Sequence, residues 1–281
     1  MSHLLSSFSP DIVQAETVLR QPQPDRLFIE ARLGTDPDDE YRLYREGHIL
    51  GAVHAQIRDV FAAPPDSGTG NLPLPDPAVL QETLRRWQVS SETEVIVYGP
   101  SAALAARAWW TLRWAGLSRV RLLDGGLKSW GSAGGPVAQG DYVPPAREDG
   151  QLLVLKPGQL AQIHVADMER LPPDVIVLDA RDEAAYLAGH IPCARSLPAA
   201  ELWTPGGTFR TVSEIRRLYE QVGVGEQTEP VVYCGGGVLS ALHVLALRAL
   251  GISSRLYVGS WSEWNKSSAR MARSAVDKVL P

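Results

Sequence analysis

The chain has 281 residues, of which 44% are hydrophobic and 21% charged, and its formal net charge is −5. This length and balance predict a globular protein with enough core for two domains, and an acidic chain without a basic patch is not expected to bind nucleic acid. No apolar run is long enough to span a bilayer, so no membrane partner is expected either.

The cysteines and the N-terminal segment indicate the compartment. The chain has only two cysteines, Cys193 and Cys234. Residues 1–10 lack the basic region and apolar block of a secretory signal. We therefore expect free thiols in a reducing cytoplasm.

The chain contains two copies of one pattern of sequence features. From the central strands onward the copies are offset by 135 residues, as between Tyr98 and Tyr233 or Gly116 and Gly251. In chain order each copy has an apolar run ending in acid-Ala-Arg (26–32 and 175–181), a Gly-His-Ile motif (47–49 and 189–191), a Leu- and Arg-rich helix (78–87 and 212–222), a central strand (95–98 and 231–233), and a second helix followed by a strand and a glycine turn.

Apolar strands that alternate with helical patterns are typical of parallel sheets covered by helices. The sequence therefore predicts an α/β fold with two tandem domains, each a parallel sheet flanked by helices. Residues 131–150 are rich in glycine and proline, which is typical of a linker. The predicted boundaries are a first domain over 1–135, a linker over 136–150 and a second domain over 151–281.

Cys234 is the candidate nucleophile. It directly follows the strand 231–233, three glycines come next, and Ser240 is a candidate N-cap for the following helix. Glycines let backbone N–H groups turn inward, and the positive end of the helix dipole points to the same place, so both favour thiolate over thiol. The predicted anion cradle consists of Gly235, Gly236, Gly237, Val238, Leu239 and Ser240.

The first copy has Gly99 where the second has Cys234. Only the second domain can therefore perform thiol chemistry. We expect the first domain to supply one wall of a cleft, because sites often form at domain interfaces.

Taken together, these motifs resemble the tandem-domain rhodaneses, which are thiosulfate and 3-mercaptopyruvate sulfurtransferases. The resemblance covers both halves and rests on the Cys234 loop and on Asp179-Ala180-Arg181, Gly189-His190-Ile191-Pro192, Asp124-Gly125-Gly126-Leu127 with Trp130, Trp109 to Arg113, and Tyr257 to Trp264.

The resemblance implies an enzyme that moves a sulfane sulfur without a metal or an organic cofactor. Cys234 would take sulfur from a small anionic donor, become a persulfide, and pass the sulfur to cyanide, a thiol or a reduced protein dithiol. Arg181 resembles the family's substrate-binding arginine, and its planar fork suits a sulfonate or carboxylate. The alternative is a salt bridge, because Arg32 occupies the same place in the copy without a nucleophile.

The sequence leaves the donor open between thiosulfate and 3-mercaptopyruvate. Thiosulfate enzymes of this family commonly have Arg and Lys after the cysteine, where this chain has Gly235 and Gly236. Mercaptopyruvate enzymes commonly read Cys-Gly-Ser-Gly-Val-Thr, which this loop matches except at Gly236 and Leu239. They also use an Asp and a His of the first domain as a proton relay, whereas here Gln56 lies near the Asp position and residues 70–73 contain no histidine.

The missing relay residues motivate a second hypothesis, a catalytically weak module that binds an anion or a protein partner. Phosphatase chemistry is disfavoured because no arginine follows the loop, where Ser240 stands instead. We expect structural roles for His48 and His190, which recur in both copies, a packed position for His243, and an inert Cys193 unless it lies near Cys234. A core or interface position is expected for Trp109, Trp110 and Trp114, and no metal-ligand spacing is visible.

Overall fold

The computed structural model describes residues 9–145 and 153–277. The first half contains β1 (Ile12–Val13), α1 (Ala15–Arg20), β2 (Arg26–Arg32), α2 (Pro37–Glu46), β3 (His48–Ile49), β4 (Ala52–Gln56), α3 (Ile57–Val60), α4 (Pro77–Arg86), β5 (Glu94–Tyr98), α5 (Ala102–Trp114), β6 (Val120–Leu123), α6 (Gly126–Ser132) and β7 (Val137–Ala138).

The second half repeats this succession with shorter strands. It contains β8 (Gln162–Ile163), α7 (Val165–Met168), β9 (Val177–Asp179), α8 (Glu183–Ala188), β10 (Ala194–Ser196), a 3-10 helix (Ala199–Leu202), α9 (Val212–Gln221), β11 (Val231–Tyr233), α10 (Leu239–Ala249), β12 (Arg255–Tyr257), α11 (Ser260–Trp264) and α12 (Ser268–Asp277).

The two halves form sheets of the same strand order. The first sheet runs β1-β6-β5-β2-β4 and the second runs β8-β12-β11-β9-β10, with parallel pairing throughout. Glu30 lies opposite Tyr98 in the first sheet, and Asp179 lies opposite Tyr233 in the second. The predicted α/β fold with two tandem parallel-sheet domains is confirmed.

Local sequence explains where the predicted helices begin. Asp76 accepts a hydrogen bond from the backbone N–H of Ala78 at 2.7 Å, and proline at the first position of α4 has no N–H to satisfy. Thr211 and Glu214 form a reciprocal capping box at the start of α9. Both helices match their predicted ranges to within one residue.

The apolar core is continuous across the two domains. Helices α5 and α10 pack against each other, and Trp109 and Trp110 are fully buried, as expected. Two hydrogen bonds also join the domains. Arg248 donates to the Asp11 carboxylate at 2.8 Å, and the Phe209 N–H donates to Asp124 at 2.9 Å.

Arg181 lies two residues beyond the end of its strand, whereas the apolar run seen in the sequence extends to it. Strand β9 stops at Asp179. The Asp179 carboxylate then accepts the backbone N–H of Arg181 at 3.0 Å, and this turn leads the chain away from the sheet.

The first part of the predicted linker belongs to the first domain's structure, because β7 pairs antiparallel with β3. Residues 146–150 of the linker, together with 1–8, 151–152 and 278–281 of the predicted domains, lie outside the described residues. Where the structure describes the chain, no helix combines the length and apolar character needed to cross a membrane.

Candidate active site

Cys234 lies at the carboxyl end of β11, with its side chain buried and only 1% of the residue exposed. Its Sγ accepts a hydrogen bond from the Gly237 backbone N–H at 3.1 Å and another from the Ser240 hydroxyl at 3.4 Å. Two donors therefore face the sulfur, which is the arrangement that stabilises an anionic sulfur over a neutral one.

Ser240 contributes in a way that differs from the sequence prediction. Helix α10 begins at Leu239 with Val238 as its N-cap residue, so Ser240 is not the cap. Its hydroxyl faces Sγ instead of a backbone N–H, because the loop after Cys234 brings the first turn of α10 against the sulfur. Ser240 thus places a hydroxyl beside the sulfur, although Gly236, at the position where mercaptopyruvate enzymes have serine, carries none.

Of the three loop glycines, Gly237 is the one whose backbone conformation and surroundings require a glycine. Its φ is +81°, and a Cβ at this position would lie 2.7 Å from Arg107 Nη1 and 2.8 Å from the Val258 carbonyl oxygen. No non-neighbouring heavy atom lies within 4 Å of a Cβ placed on Gly235. The run of three glycines therefore contains one residue with a strict steric role.

The segment after β12 fixes the other side of the loop. The backbone N–H groups of Trp261 and Ser262 donate to the carbonyls of Cys234 and Gly235 at 2.9 and 3.0 Å. The Ser260 hydroxyl accepts the Cys234 N–H at 3.2 Å. Hydrogen bonds to the backbone of Cys234 and Gly235 thus hold the start of the loop against this segment.

The first domain closes the site, as predicted. Its segment 66–73 lies over the Cys234 loop, where the Asn71 N–H donates to the Ser262 hydroxyl at 2.9 Å. Asn71 and Leu72 face Gly236, and Gly70 approaches the Gly259 carbonyl so closely that no side chain would fit between them. The part of this wall that faces the loop consists of backbone, an amide residue and a leucine, and residues 70–73 contain no histidine.

The protein-family comparison agrees with this two-domain architecture. A model described as the rhodanese-like domain matches residues 14–133 and again residues 164–267. The chain belongs to the rhodanese family.

Relatives and solved structures agree with this membership over most of the chain. A putative thiosulfate sulfurtransferase from Mycobacterium tuberculosis is 35% identical over 86% of this chain and 88% of its own length. A probable 3-mercaptopyruvate sulfurtransferase from Pseudomonas aeruginosa is 35% identical over 87% of this chain and 91% of its own length. The crystal structure of the Escherichia coli 3-mercaptopyruvate sulfurtransferase SseA superposes with a TM-score of 0.78 at 29% identity, covering 91% of this chain and all of that one. The prediction of a sulfurtransferase enzyme is confirmed.

In this rhodanese, Arg181 is engaged within its own domain. Its Nε and Nη2 donate to the Asp179 carboxylate at 2.5 to 3.1 Å, and Nη2 also donates to the Gly189 carbonyl at 2.6 Å. The guanidinium carbon lies 4.7 Å from the Trp261 ring centre. Burial opposes the charge, but the Asp179 carboxylate outweighs it and raises the pKa of Arg181.

The first domain repeats this network without a nucleophile. Arg32 contacts Glu30 at 2.6 Å, and the Tyr98 hydroxyl donates to Glu30 at 2.8 Å while accepting the Ile49 N–H at 3.0 Å. The corresponding hydroxyl in the second domain, that of Tyr233, donates to Asp179 at 2.6 Å and accepts the Ile191 N–H at 3.0 Å. The arginine position thus has a structural role in both domains, and donor binding by Arg181 stays a prediction.

The histidines occupy structural positions, as predicted. His48 and His190 each place Nδ1 3.0 Å from a tyrosine carbonyl oxygen one turn earlier and stack on that tyrosine ring. His243 is fully buried with Nδ1 2.9 Å from the Tyr219 hydroxyl, and burial lowers its pKa to about 3.

The cysteines occupy different environments and form no disulfide with each other. Cys193 is exposed at a φ of +61° in the turn before β10, whereas Cys234 is buried. Within the described ranges, no group of three or more His, Cys, Asp or Glu residues is arranged to hold a metal ion. Gln56, which lies near the relay Asp position of the mercaptopyruvate enzymes, is buried, and neither of its amide atoms has a partner among the described residues.

The sequence interpretation missed one residue that contacts the site. Arg107, in the middle of α5, is fully buried and donates to the Gly237 carbonyl at 3.2 Å across the domain interface. The signal available in the sequence was a charge in the middle of the mostly apolar helix Ala102–Trp114, whose other arginine, Arg113, lies in the last turn.

Proposed function

We propose that this rhodanese transfers sulfane sulfur from a small anionic donor, 3-mercaptopyruvate or thiosulfate, to a thiophilic acceptor through a persulfide on Cys234. The thiolate attacks the donor's outer sulfur and forms an S–S bond. The bond from that sulfur to the rest of the donor breaks, and sulfite or the enolate of pyruvate leaves with the electron pair. Cyanide, a thiol or a reduced protein dithiol then takes the outer sulfur and restores the thiolate.

The observation that carries this proposal is the pair of donors on Cys234 Sγ, the Gly237 N–H and the Ser240 hydroxyl. Thiolate and persulfide are both anions, and a preorganised donor pair in a buried site stabilises each of them without reorganisation. The buried position also keeps water from the sulfur, which protects a persulfide from side reactions.

Both donors remain candidates because the relatives of similar identity are named for different ones. Thiosulfate needs no proton when sulfite leaves, so the absence of a histidine from residues 70–73 does not affect it. The pyruvate enolate requires a proton on carbon, and Ser240 is the hydroxyl nearest to the sulfur among the described residues.

Arg181 is proposed to contact the donor's anionic group. Its Nε and Nη2 are bound by Asp179 and Gly189, so the guanidinium is held in a fixed orientation. A fixed, planar guanidinium suits a carboxylate or sulfonate oxygen. Arg32→Gln is the matched control for Arg181→Gln, since it removes the equivalent ion pair from the domain without a nucleophile.

The decisive experiment loads the purified protein with each donor separately and reads its intact mass, followed by peptide mapping. We expect one added sulfur on Cys234, its removal by cyanide, and no added sulfur in Cys234→Ser. Cys193→Ser serves as the matched control and should load like the wild type.

No added sulfur from either donor, with Cys234 still alkylatable, would contradict the proposal. It would favour the alternative of a weak module that binds an anion or a protein partner. Finding the loaded protein outside the cytoplasm would contradict the expected location.

A further inference from the structure

Arg107 has an unusual set of partners for a buried charge. The residue is fully buried. Its Nη1 donates to the Gly237 carbonyl at 3.2 Å, and its Nη2 donates to the carbonyls of Phe61 at 3.1 Å and Leu72 at 2.9 Å. Every acceptor is a backbone carbonyl, so the guanidinium joins the first-domain wall to the Cys234 loop without meeting a carboxylate.

A buried cation without an anionic partner is costly, by several kcal/mol in general. Burial lowers the pKa of Arg107 to about 10, and negative charge on Cys234 is the influence that opposes this shift. The group therefore remains protonated at neutral pH. Its hydrogen bond to the Gly237 carbonyl places this charge at the residue whose N–H donates to Cys234 Sγ.

A comparison of the two copies shows that an arginine at this position goes with the loop that contains the cysteine and is not shared by the two equivalent helices. The 135-residue offset that relates Tyr98 to Tyr233 pairs Arg107 with Leu242, which is also fully buried. Helix α5 thus carries a charge that faces the loop with the cysteine. The equivalent position of α10 is apolar, and the first-domain loop has Gly99 in place of a cysteine.

We propose that Arg107 of the noncatalytic domain is a positioning residue for sulfur transfer. It holds the Gly237 carbonyl and thereby fixes the backbone of Gly237, whose N–H faces Cys234 Sγ, and it supplies a buried positive charge that offsets the thiolate and the persulfide. The catalytic centre is therefore completed only when the two domains are packed together. This inference rests on Cys234 being the nucleophile of the proposed function.

Other groups around the sulfur limit how the test is interpreted. The Gly237 N–H and the Ser240 hydroxyl contact Sγ directly. The ionisable groups on neighbouring elements include the Asp179, Arg181 and Tyr233 network next to the loop, His243 on α10, Tyr257 on β12 and Glu263 on α11, and these are left unchanged in every variant.

The test measures the alkylation rate of Cys234 by iodoacetamide as a function of pH. The rate is followed in wild type, Arg107→Gln, Arg107→Lys and Arg113→Gln, all carrying Cys193→Ser. Arg113 is the matched control because it lies on the same helix and bridges to Asp11 at 3.7 Å without contacting the loop. Circular dichroism and thermal unfolding establish that each variant is folded.

We expect half-maximal alkylation of Arg107→Gln at a pH higher by about 1–2 units, since an opposite charge nearby shifts a titration by that order. Arg113→Gln should match the wild type. Arg107→Lys should shift by less than half as much, because it keeps the charge, and should form persulfide at least about tenfold more slowly, because it loses the fork that holds Gly237.

An unchanged alkylation profile in folded Arg107→Gln would overturn the proposal. If that variant does not fold, an Arg107→Lys protein equal to the wild type in both readouts would overturn it. Alkylation needs no sulfur donor, so a shifted profile in a protein that neither donor loads would contradict the proposed function, and of this inference only the effect of Arg107 on the reactivity of Cys234 would stand.

Discussion

Gly237 provides the sharpest test of how the loop is built, because three glycines of the second domain differ in one factor at a time. Gly235 has an ordinary φ and open space, and Gly251 has a φ of +78° and open space. Gly237 combines a φ of +81° with two close neighbours, Arg107 Nη1 and the Val258 carbonyl. Alanine at each position therefore separates backbone strain from steric conflict.

The expected free-energy changes follow from these contacts. Gly235→Ala should change the free energy of unfolding by less than about 0.5 kcal/mol, as for surface changes without special features. Gly251→Ala should cost about 1–2 kcal/mol, the price of a left-handed conformation for a residue with a Cβ. Gly237→Ala should cost about 2–5 kcal/mol, because displacement of packed neighbours adds about 1–3 kcal/mol.

The assay is urea unfolding followed by tryptophan fluorescence, with the rate of persulfide formation measured on the same samples. Gly237→Ala should also slow persulfide formation by about tenfold or more, since the N–H that faces Sγ moves with the backbone. A Gly237→Ala protein no less stable than Gly251→Ala would refute the steric argument. Normal persulfide formation in that protein would refute the role of the Gly237 N–H.

Two further predictions concern buried groups in and next to the second domain's core. Burial lowers the pKa of His243 to about 3, so as the pH falls below about 6.5 this histidine takes up a proton in the unfolded chain but not in the folded one. The free energy of unfolding therefore decreases as the pH is lowered. Between pH 7.5 and 5.5, the wild type should lose about 1.4 kcal/mol more unfolding free energy than His243→Gln in urea titrations, and equal losses would contradict this. Tyr233→Phe and its control Tyr98→Phe should each lose about 1–3 kcal/mol of unfolding free energy, because each removes one donor from a buried carboxylate and leaves a buried backbone N–H without its partner. Only Tyr233→Phe should raise the KM for the donor, because Asp179 orients Arg181, and an unchanged KM would count against donor binding by that arginine.

The local sequence was sufficient for most of the fold. Apolar strands alternating with periodic helices are a short-range signal, so the two parallel-sheet domains and the central strands could be predicted. The internal repeat identified the domain that carries the candidate nucleophile, because Gly99 replaces Cys234 in the other copy. The structural roles of His48 and His190 also followed from comparing the two copies.

Contacts between distant segments were decided by the tertiary structure. The N-cap rule selected Ser240, but the packed loop turned its hydroxyl toward Sγ instead. Arg107 lies 130 positions from Gly237 in the chain, and only the packing of α5 against α10 brings them together. A local sequence pattern depends on residues that are close together in the chain, so it predicts helices and strands. The charges around Cys234 depend on which groups are buried where the two domains pack together, and no local pattern contains that information.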